Sequence, residues 1–400
     1  MPGSHFDVVV VGAGAAGTAA ARTLEAAGAD YVVLEAASRL GGRARTDSSL
    51  GYPIDLGCTW LHSADENVLA VCSPEQFRQD TSTSRIFLDD AQRWATAEEE
   101  ANCRAYIEDC EWRIVEAGTD GVSASVDEVV GQGSPYRRHF DWWCGAYTSV
   151  LPDRVSTLDW YRYHDTDVNW TVPGGYGAYI VSHAHGLNIR RDTPVLSIAE
   201  TADGARITTP SGSLDARAIV LTASTEALKR IRFTPELPAD KLEALERLPL
   251  GRTNKVAMRF DCVDPDWSHA RSGVLSVRFA RHDRPIAELF LDSAVAQALE
   301  PEGEAAQIDF VIQQFCTMYG SSIRQKIQAA RASVWGKTPW IWGAYSAMTP
   351  GDGDPRAVLA EPLADRLFFA GEATHPHFFS TAHGAWESGE RAAEEALSYR

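Results

Sequence analysis

The chain opens with short apolar runs on either side of a segment rich in glycine and alanine. VVVV (8–11) is a continuous β-branched run, too short for a helix and typical of a strand buried on both faces. GAGAAG (12–17) is a glycine turn, and TAAARTLEAAG (18–28) predicts a helix that ends at Gly28. YVVLE (31–35) is a second buried strand. This order predicts a βαβ unit.

The pattern changes between about Cys72 and Pro173. Charged and aromatic segments with helical spacing, of which 95–118 is the longest, replace the buried strands there. Strand patterns return over 186–200 and continue in 205–223, where a Pro-Ser-Gly turn separates two alternating runs and predicts a hairpin.

The second half of the chain carries four further apolar runs that we interpret as strands, at 253–260, 274–280, 286–291 and 307–315. Near the C-terminus, RLFFAGEA (366–373) predicts a buried strand and AHGAWESGERAAEEAL (382–397) an amphipathic helix. The chain is therefore expected to leave a nucleotide-binding domain twice and to return to it twice.

Gly12, Gly14 and Gly17 form a GxGxxG motif between the first strand and the first helix. The first glycine permits a tight turn, the second lets a pyrophosphate approach the backbone, and the third lets the helix pack on the sheet. Glu35 ends the second strand, where a carboxylate can accept both ribose hydroxyls of a dinucleotide. Because strands, helix and acid follow in the required order, the motif predicts a dinucleotide site.

The segment ASRLGGRART (37–46) helps to choose between NAD and FAD. Two adjacent glycines and two arginines beside a diphosphate suggest a second anion clamp. A plain turn with a surface cation at Arg43 is the alternative interpretation, but it does not explain why the motif lies where the phosphates of a flavin would be.

Composition narrows the class of protein without naming a substrate. The 400 residues include 37 lysines and arginines and 55 aspartates and glutamates, a net charge of −18. Such a surface disfavours nucleic acid and anionic membranes and attracts cationic small molecules, although it also serves solubility. The seven cysteines are scattered without CxxC spacing, and the chain has neither a long apolar run nor a basic N-terminal region. We expect reduced thiols, no metal, no membrane span, no secretory signal and a cytoplasmic location.

Several motifs together resemble the flavin amine oxidase family, which includes monoamine oxidases, polyamine oxidases, L-amino acid oxidases and lysine-specific histone demethylases. The similarity runs nearly end to end and is weakest over 73–172. The matching segments are VGAGAAG (11–17), Glu35, LGGRART (40–46), DLGCTWLH (55–62), PGGY (173–176), TNKV (253–256), LFFAGEATH (367–375) and STAHGAWESGERAA (380–393).

The resemblance implies an α/β fold of the amine oxidase type. A Rossmann-like FAD-binding domain with the GxGxxG motif would comprise 1–72, 174–248 and 356–400, and an interleaved α+β substrate-binding domain would comprise 73–173 and 249–355. It also implies a set of FAD contacts: Gly12, Gly14, Ala15, Ala16, Gly17, Glu35, Ala36, Gly42, Arg43, Arg45, Gly57, Cys58, Thr59, Trp60, Val195, Trp335, Gly371, Glu372, Thr381 and Ala382. A helix that begins near Ala382 would stabilise negative charge on the reduced flavin.

Departures from the family pattern favour the polyamine oxidase branch. Ala344 stands where monoamine oxidases carry the cysteine that tethers the flavin, so non-covalent FAD is expected. Thr381 replaces a second cage tyrosine, CTWLH lacks the carboxylate-binding arginine of L-amino acid oxidases, and His62 matches a histidine of animal polyamine oxidases. The demethylases need a long helical insertion that this chain does not hold.

The implied reaction is hydride transfer from the carbon beside an amine nitrogen to flavin N5, followed by imine hydrolysis and reoxidation by O2. We expect Lys255 to hold a water at N5, Tyr345 to form part of the amine cage, and His62 to bind a distal amine or move a proton. Thr381 is the fourth candidate catalytic residue. The simpler alternatives are an exposed lysine at a strand start, a core tyrosine and a structural histidine.

Other functions stay open at this stage. The rivals are a desaturase or porphyrinogen-oxidase-like flavoenzyme, an L-amino acid oxidase, a biosynthetic oxidase of an amine or amide intermediate, and a flavin-stabilised binding module without turnover. Specificity is expected to lie in 73–172, where the resemblance is weakest. The sequence leaves the oligomeric state open.

Overall fold

The computed structural model describes residues 5–71, 74–262, 264 and 267–399. The strands of this part are β1 His5–Val11, β2 Tyr31–Leu34, β3 Thr46–Asp47, β4 Ile54–Asp55, β5 Trp60–Leu61, β6 Arg78–Gln79, β7 Arg85–Leu88, β8 Arg93–Trp94, β9 Trp170–Thr171, β10 Ile189–Arg190, β11 Ser197–Thr201, β12 Gly204–Thr209, β13 Gly212–Leu221, β14 Arg232–Thr234, β15 Lys255–Phe260, β16 Ala270–Arg271, β17 Leu275–Phe279, β18 Ile286–Leu291, β19 Ile327–Ala332 and β20 Leu367–Phe369.

The α-helices of the same part are α1 Ala15–Ala26, α2 Ala97–Thr119, α3 Val126–Val130, α4 Arg137–Thr148, α5 Thr157–Arg162, α6 Tyr176–Ser182, α7 Thr225–Leu228, α8 Ala239–Arg247, α9 Ser293–Leu299, α10 Glu304–Tyr319, α11 Ile323–Lys326, α12 Pro355–Ala360 and α13 Ala382–Ser398. Within the described chain, no helix combines the length and the apolarity that a bilayer span requires.

The first sheet has the strand order β10-β2-β1-β13-β12-β11-β14, with β20 also paired to β13. Strands β2, β1, β13 and β20 run parallel and are covered on both faces, which explains their continuous apolar sequences. Helices α1 and α13 pack on one face and approach closely, since a Cβ at Gly389 would lie 2.1 Å from the carbonyl oxygen of Ala16. The predicted βαβ unit, the 205–223 hairpin and the C-terminal strand and helix are confirmed.

The second sheet has the order β19-β15-β18-β17-β16-β7-β8. In β17, Leu275, Val277 and Phe279 are buried in the core, so the alternating Ser276 and Arg278 belong to the opposite face. The two sheets draw on segments that fall within the two sets of predicted domain ranges, and the exact boundaries stay a prediction.

The interpretation of 307–315 as a strand is wrong, because this segment lies inside helix α10. The buried residues of the helix are Gln307, Val311, Phe315 and Met318, spaced by four, four and three positions. That spacing is helical, and it places one apolar stripe against the second sheet. A short apolar run cannot by itself distinguish a buried strand from a buried helix.

The segment of the chain between β8 and β9 is largely helical, as its sequence indicated. Helix α2 begins with a capping box in which Thr96 accepts from the Glu99 backbone and the Glu99 carboxylate accepts from the Thr96 backbone. Its buried positions, Cys103, Ile107 and Ile114 among them, pack with α3, α4 and α5 in a core of their own. Helices α2 and α4 contribute residues to one wall of the cavity described next.

Candidate active site

A cavity of about 930 Å³ runs from the GxGxxG turn to the second sheet. All of the predicted cofactor contacts line it except Gly17 and Arg45, and Lys255, Tyr345 and His62 line it as well. The fold therefore brings together residues from the first fifth, the middle and the end of the chain. Their individual roles remain predictions.

The two exceptions have other contacts. A Cβ at Gly17 would lie 1.9 Å from the carbonyl oxygen of Gly12, so this glycine allows helix α1 to pack against the turn. Arg45 forms an ion pair with Asp47 at 3.3 Å. Neither residue lines the cavity, and the sequence motif alone could not separate them from their neighbours.

The N-terminus of α1 opens on the cavity. Gly14 precedes the helix and has no side chain with which to cap it, and Ala15 and Ala16 line the cavity. Uncapped N–H groups at a helix N-terminus attract anions such as a pyrophosphate. The carboxylate of Glu35 lies nearby, where it accepts hydrogen bonds from the backbone of Ala13 at 2.7 Å and of Ala37 at 2.8 Å.

Glu372 lies at the centre of a buried polar network. Its carboxylate accepts from Arg43 at 2.6 Å, from the Ser346 hydroxyl at 2.6 Å and from the Ser380 backbone at 2.9 Å. Arg356 supports this network, because it donates to the Ser346 hydroxyl at 2.9 Å and forms two hydrogen bonds with Asp159. The Glu372 carboxylate therefore orients Arg43 at the cavity wall, an arrangement that the sequence did not reveal.

Lys255 is the first residue of β15, and its side chain is enclosed at the cavity wall. Its ammonium donates to the Gly57 carbonyl at 2.5 Å and to the Thr59 hydroxyl, and it lies 5.1 Å from the Trp60 ring centroid. Burial lowers the pKa of Lys255 to about 8, against the attraction of Asp55 and Glu288. The exposed-lysine alternative is therefore excluded.

Two other predicted catalytic residues, Tyr345 and Thr381, have defined partners. Tyr345 donates its hydroxyl to the Ala146 carbonyl, and burial raises its pKa far above the usual range. The Thr381 hydroxyl caps α13 by accepting from the Gly384 backbone at 3.0 Å, and it donates to Phe378. This cap fixes the start of α13 at the cavity.

His62 is held as a neutral imidazole. Its Nδ1 lies 2.6 Å from the Asn169 amide oxygen, and burial lowers the pKa of His62. The Asn169 amide nitrogen donates to the Asp167 carbonyl, which fixes the orientation of the amide. Since an amide oxygen only accepts, Nδ1 carries the proton and Nε2 is left as an acceptor.

The cavity has a second set of wall residues, here called the chamber, that the sequence motifs did not reveal. Its additional wall residues are Asp80, Ser82, Glu111, Trp142, Trp143, Ala146, Tyr147, Tyr163, Asp165, Asp167, Asn169, Ser276, Arg278 and Phe290. Most of them come from 73–172, where no motif signals a function. The only usable signal was the concentration of aromatic and acidic residues there.

The cavity fits a flavin dinucleotide. Its first half offers an uncapped helix N-terminus, the Glu35 carboxylate and the oriented Arg43, which match a ribose and a diphosphate. Gly57 allows close packing at the turn before β5, since a Cβ there would lie 1.9 Å from the Arg43 carbonyl oxygen. Ala344 lines the cavity beside Tyr345 and carries no thiol.

Comparisons with known proteins agree with this geometry. The family model for flavin containing amine oxidoreductases matches residues 15–94 and 125–397. Polyamine oxidase 4 of Oryza sativa subsp. japonica is 29% identical over 97% of this chain and 88% of its own length. Lysine-specific histone demethylase 2 of Homo sapiens is 26% identical over 98% of this chain and 53% of its own length.

Solved structures share the fold. A putrescine oxidase bound to putrescine has a TM-score of 0.84 at 18% identity and covers 99% of this chain and 100% of its own. Cyclohexylamine oxidase from Brevibacterium oxydans IH-35A has a TM-score of 0.81 at 21% identity and covers 98% of this chain and 99% of its own. At these identities the likeness concerns the architecture.

Proposed function

The chain belongs to the flavin containing amine oxidoreductase family, and we propose that within this family it oxidises a polyamine or a related secondary amine, with O2 as electron acceptor. It is an FAD-dependent amine oxidase. When bound, FAD supplies the acceptor for the hydride that leaves the carbon beside the amine nitrogen. The protein binds and orients the amine and keeps water out of the reacting centre.

The observation that carries the substrate proposal is the composition of the chamber wall. Tyr147, Tyr163 and Tyr345 provide an aromatic lining, and Glu111 and Asp165 provide carboxylates at the same wall. Asp165 accepts a hydrogen bond from the Asp167 backbone at 2.9 Å, and within the described residues neither aspartate forms an ion pair, so their charges are available to a cationic ligand. Aromatic faces and carboxylates are the groups that bind alkylammonium chains.

The reacting nitrogen must be neutral, and Lys255 supports this. Lys255 places a positive charge at the cavity wall beside Trp60, which disfavours a second cation next to it. The His62 Nε2 is an acceptor, so it can take a hydrogen bond from an ammonium group further along the chain. We propose that His62 and the chamber carboxylates bind the charged distal amine while the reacting amine is desolvated among the tyrosines.

An amine panel tests this proposal. The flavin-loaded protein is mixed anaerobically with spermine, spermidine, their acetylated forms and L-amino acids, and loss of the oxidised flavin absorbance is recorded. The polyamines are expected to reduce the flavin faster than any amino acid. A clear preference for an amino acid contradicts the polyamine assignment and leaves the fold and the amine oxidase assignment intact.

A pair of variants tests the carboxylates directly. Asp165→Asn removes a chamber charge and is expected to raise the KM for spermine about 3-fold to 10-fold, as for a partly exposed charged contact. Asp203→Asn, in the exposed turn between β11 and β12, is the matched control and should leave KM unchanged. If both substitutions raised KM equally, the effect would come from the net charge of the protein and not from the chamber. We also propose a cytoplasmic location, on the cysteine pattern of the sequence.

A further inference from the structure

Arg278 is a cation on the wall of the substrate chamber without a carboxylate partner. It lies on the cavity-facing side of β17, two residues after Ser276, which also lines the cavity. Among the described residues no carboxylate oxygen lies within ion-pair distance of its guanidinium, which donates to the Ser84 hydroxyl. Its Nε is covered from solvent and lacks a hydrogen-bond partner in the described structure.

The neighbouring carboxylates are already engaged. Glu288 stands directly across from Arg278 in the sheet, but its carboxylate lies 3.0 Å from Arg281. Asp80 also pairs with Arg281, at 3.3 Å, and accepts from the Trp60 indole at 2.8 Å. Two arginines and two carboxylates thus meet at this edge of the chamber, and both carboxylates are bound to Arg281.

Arg278 is half-buried, and a cation that is partly removed from solvent without a charged partner is costly unless a ligand compensates for it. Burial lowers the pKa of Arg278, and an arginine remains charged in proteins despite such a shift. The planar guanidinium offers several parallel donors, an arrangement suited to oxygen acceptors. Resting on the proposed function, we propose that Arg278 binds an oxygen acceptor, a carboxylate or an amide carbonyl, at the distal end of the amine substrate.

The sheet register gives the length of substrate that this requires. Lys255 is paired with Phe290, and Phe290 with Ser276, so two strand spacings separate Lys255 from Ser276. Arg278 lies two residues further along β17, which places its Cα on the order of 12 Å from that of Lys255. The acceptor group therefore lies several carbon atoms away from the oxidised amine, as in an acylated or carboxylated polyamine.

The test compares substrates that differ only at one end. Spermidine, its two mono-acetylated isomers and N-(aminobutyl)-β-alanine are assayed with wild type and with Arg278→Met; the last compound has a carboxylate in place of a terminal aminomethyl group. Wild type is expected to show a KM about 10-fold lower for acceptor-ended compounds than for spermidine. Arg278→Met should abolish this preference through KM, with kcat within about 2-fold of wild type.

Two further variants make the result decisive. Arg259→Met changes an arginine of the same sheet outside the cavity wall and should leave the preference intact. Arg278→Lys keeps the charge and is used for the same comparison if the methionine variant loses its flavin. This variant should retain part of the preference for acceptor-ended compounds over spermidine. If Arg278→Met loses the preference only for the carboxylate compound, the group that Arg278 binds is an anion. If it loses the preference equally for the acetylated isomers, that group is a carbonyl.

The proposal is overturned if wild type prefers spermidine, or if Arg278→Met retains the preference for acceptor-ended compounds. These results are distinct from a failure of the proposed function, in which none of the four compounds reduces the flavin.

Discussion

Arg43 and Glu372 are 329 residues apart in the chain, yet Nη1 of the arginine lies 2.6 Å from Oε1 of the glutamate. Glu372 is almost fully buried, whereas Arg43 reaches the cavity. The glutamate thus holds the cation in place, and through Ser346 it connects to the buried pair of Arg356 and Asp159. The first two predictions concern this network.

Glu372→Gln keeps the shape of the side chain and removes its charge. Arg43 then loses its ionic partner and Ser346 and Ser380 donate to a weaker acceptor, so FAD affinity should fall by roughly 1–3 kcal/mol. Titration of the deflavinated protein with FAD measures the change. An unchanged Kd would show that the position of Arg43 is irrelevant to the cofactor.

The pair of Arg356 and Asp159 is expected to be strongly coupled. Arg356→Met leaves the Asp159 carboxylate buried without its cation and should lower the free energy of unfolding by about 3–5 kcal/mol. The double variant Arg356→Met/Asp159→Leu should be less destabilised than the single variant, since it buries no unpaired charge. Denaturant unfolding of wild type, of the two single variants Arg356→Met and Asp159→Leu, and of the double variant measures the coupling, and strict additivity would contradict it.

Glu35→Ala should weaken FAD binding. The substitution removes the carboxylate expected to accept the ribose hydroxyls and also frees the Ala13 and Ala37 backbone donors, so a loss of roughly 1–3 kcal/mol is expected. Glu98→Ala, an exposed position in the first turn of α2, is the control for the substitution itself. Equal FAD affinities in both variants would show that Glu35 does not contribute to FAD binding.

Lys255→Met tests the expected catalytic lysine. The variant should remain yellow, because methionine keeps much of the apolar stem, and turnover should fall on the order of 10²-fold, as for loss of one positioned polar group. Stopped-flow measurements of flavin reduction and reoxidation locate the affected step, with Lys337→Met at an exposed position as control. Wild-type rates in both half-reactions would make Lys255 a structural residue.

Lys255 also predicts a pH dependence of stability. Its folded pKa of about 8 lies below the value of about 10.4 for a free lysine, so between these values the unfolded chain binds more protons. The contribution of Lys255 to stability is therefore present above about pH 10 and is lost as the pH falls through about 8. The difference in unfolding free energy between wild type and Lys255→Met should shift by ~2 kcal/mol in favour of wild type between about pH 7.5 and 9.5. A constant difference would contradict the lowered pKa.

The sequence by itself determined those features that depend on local order. The βαβ unit, the GxGxxG turn and the terminal acid Glu35 lie within one short stretch, and their spacing reflects backbone geometry that only a few residue types satisfy. The same holds for the hairpin at 205–223 and for α13. At 307–315 the local pattern is ambiguous, and the sequence predicted a strand. The structure has a helix there, because α10 buries one apolar stripe against the second sheet.

Tertiary structure alone decided which charges are paired. Arg278 and Arg281 are neighbours of the same type, but only Arg281 reaches Asp80 and Glu288. Likewise the chamber gathers Glu111, Tyr147 and Asp165 from segments without a motif. Burial and ion pairing depend on contacts between distant segments, which a linear pattern does not specify, and these contacts set both the specificity and the pKa values of the site.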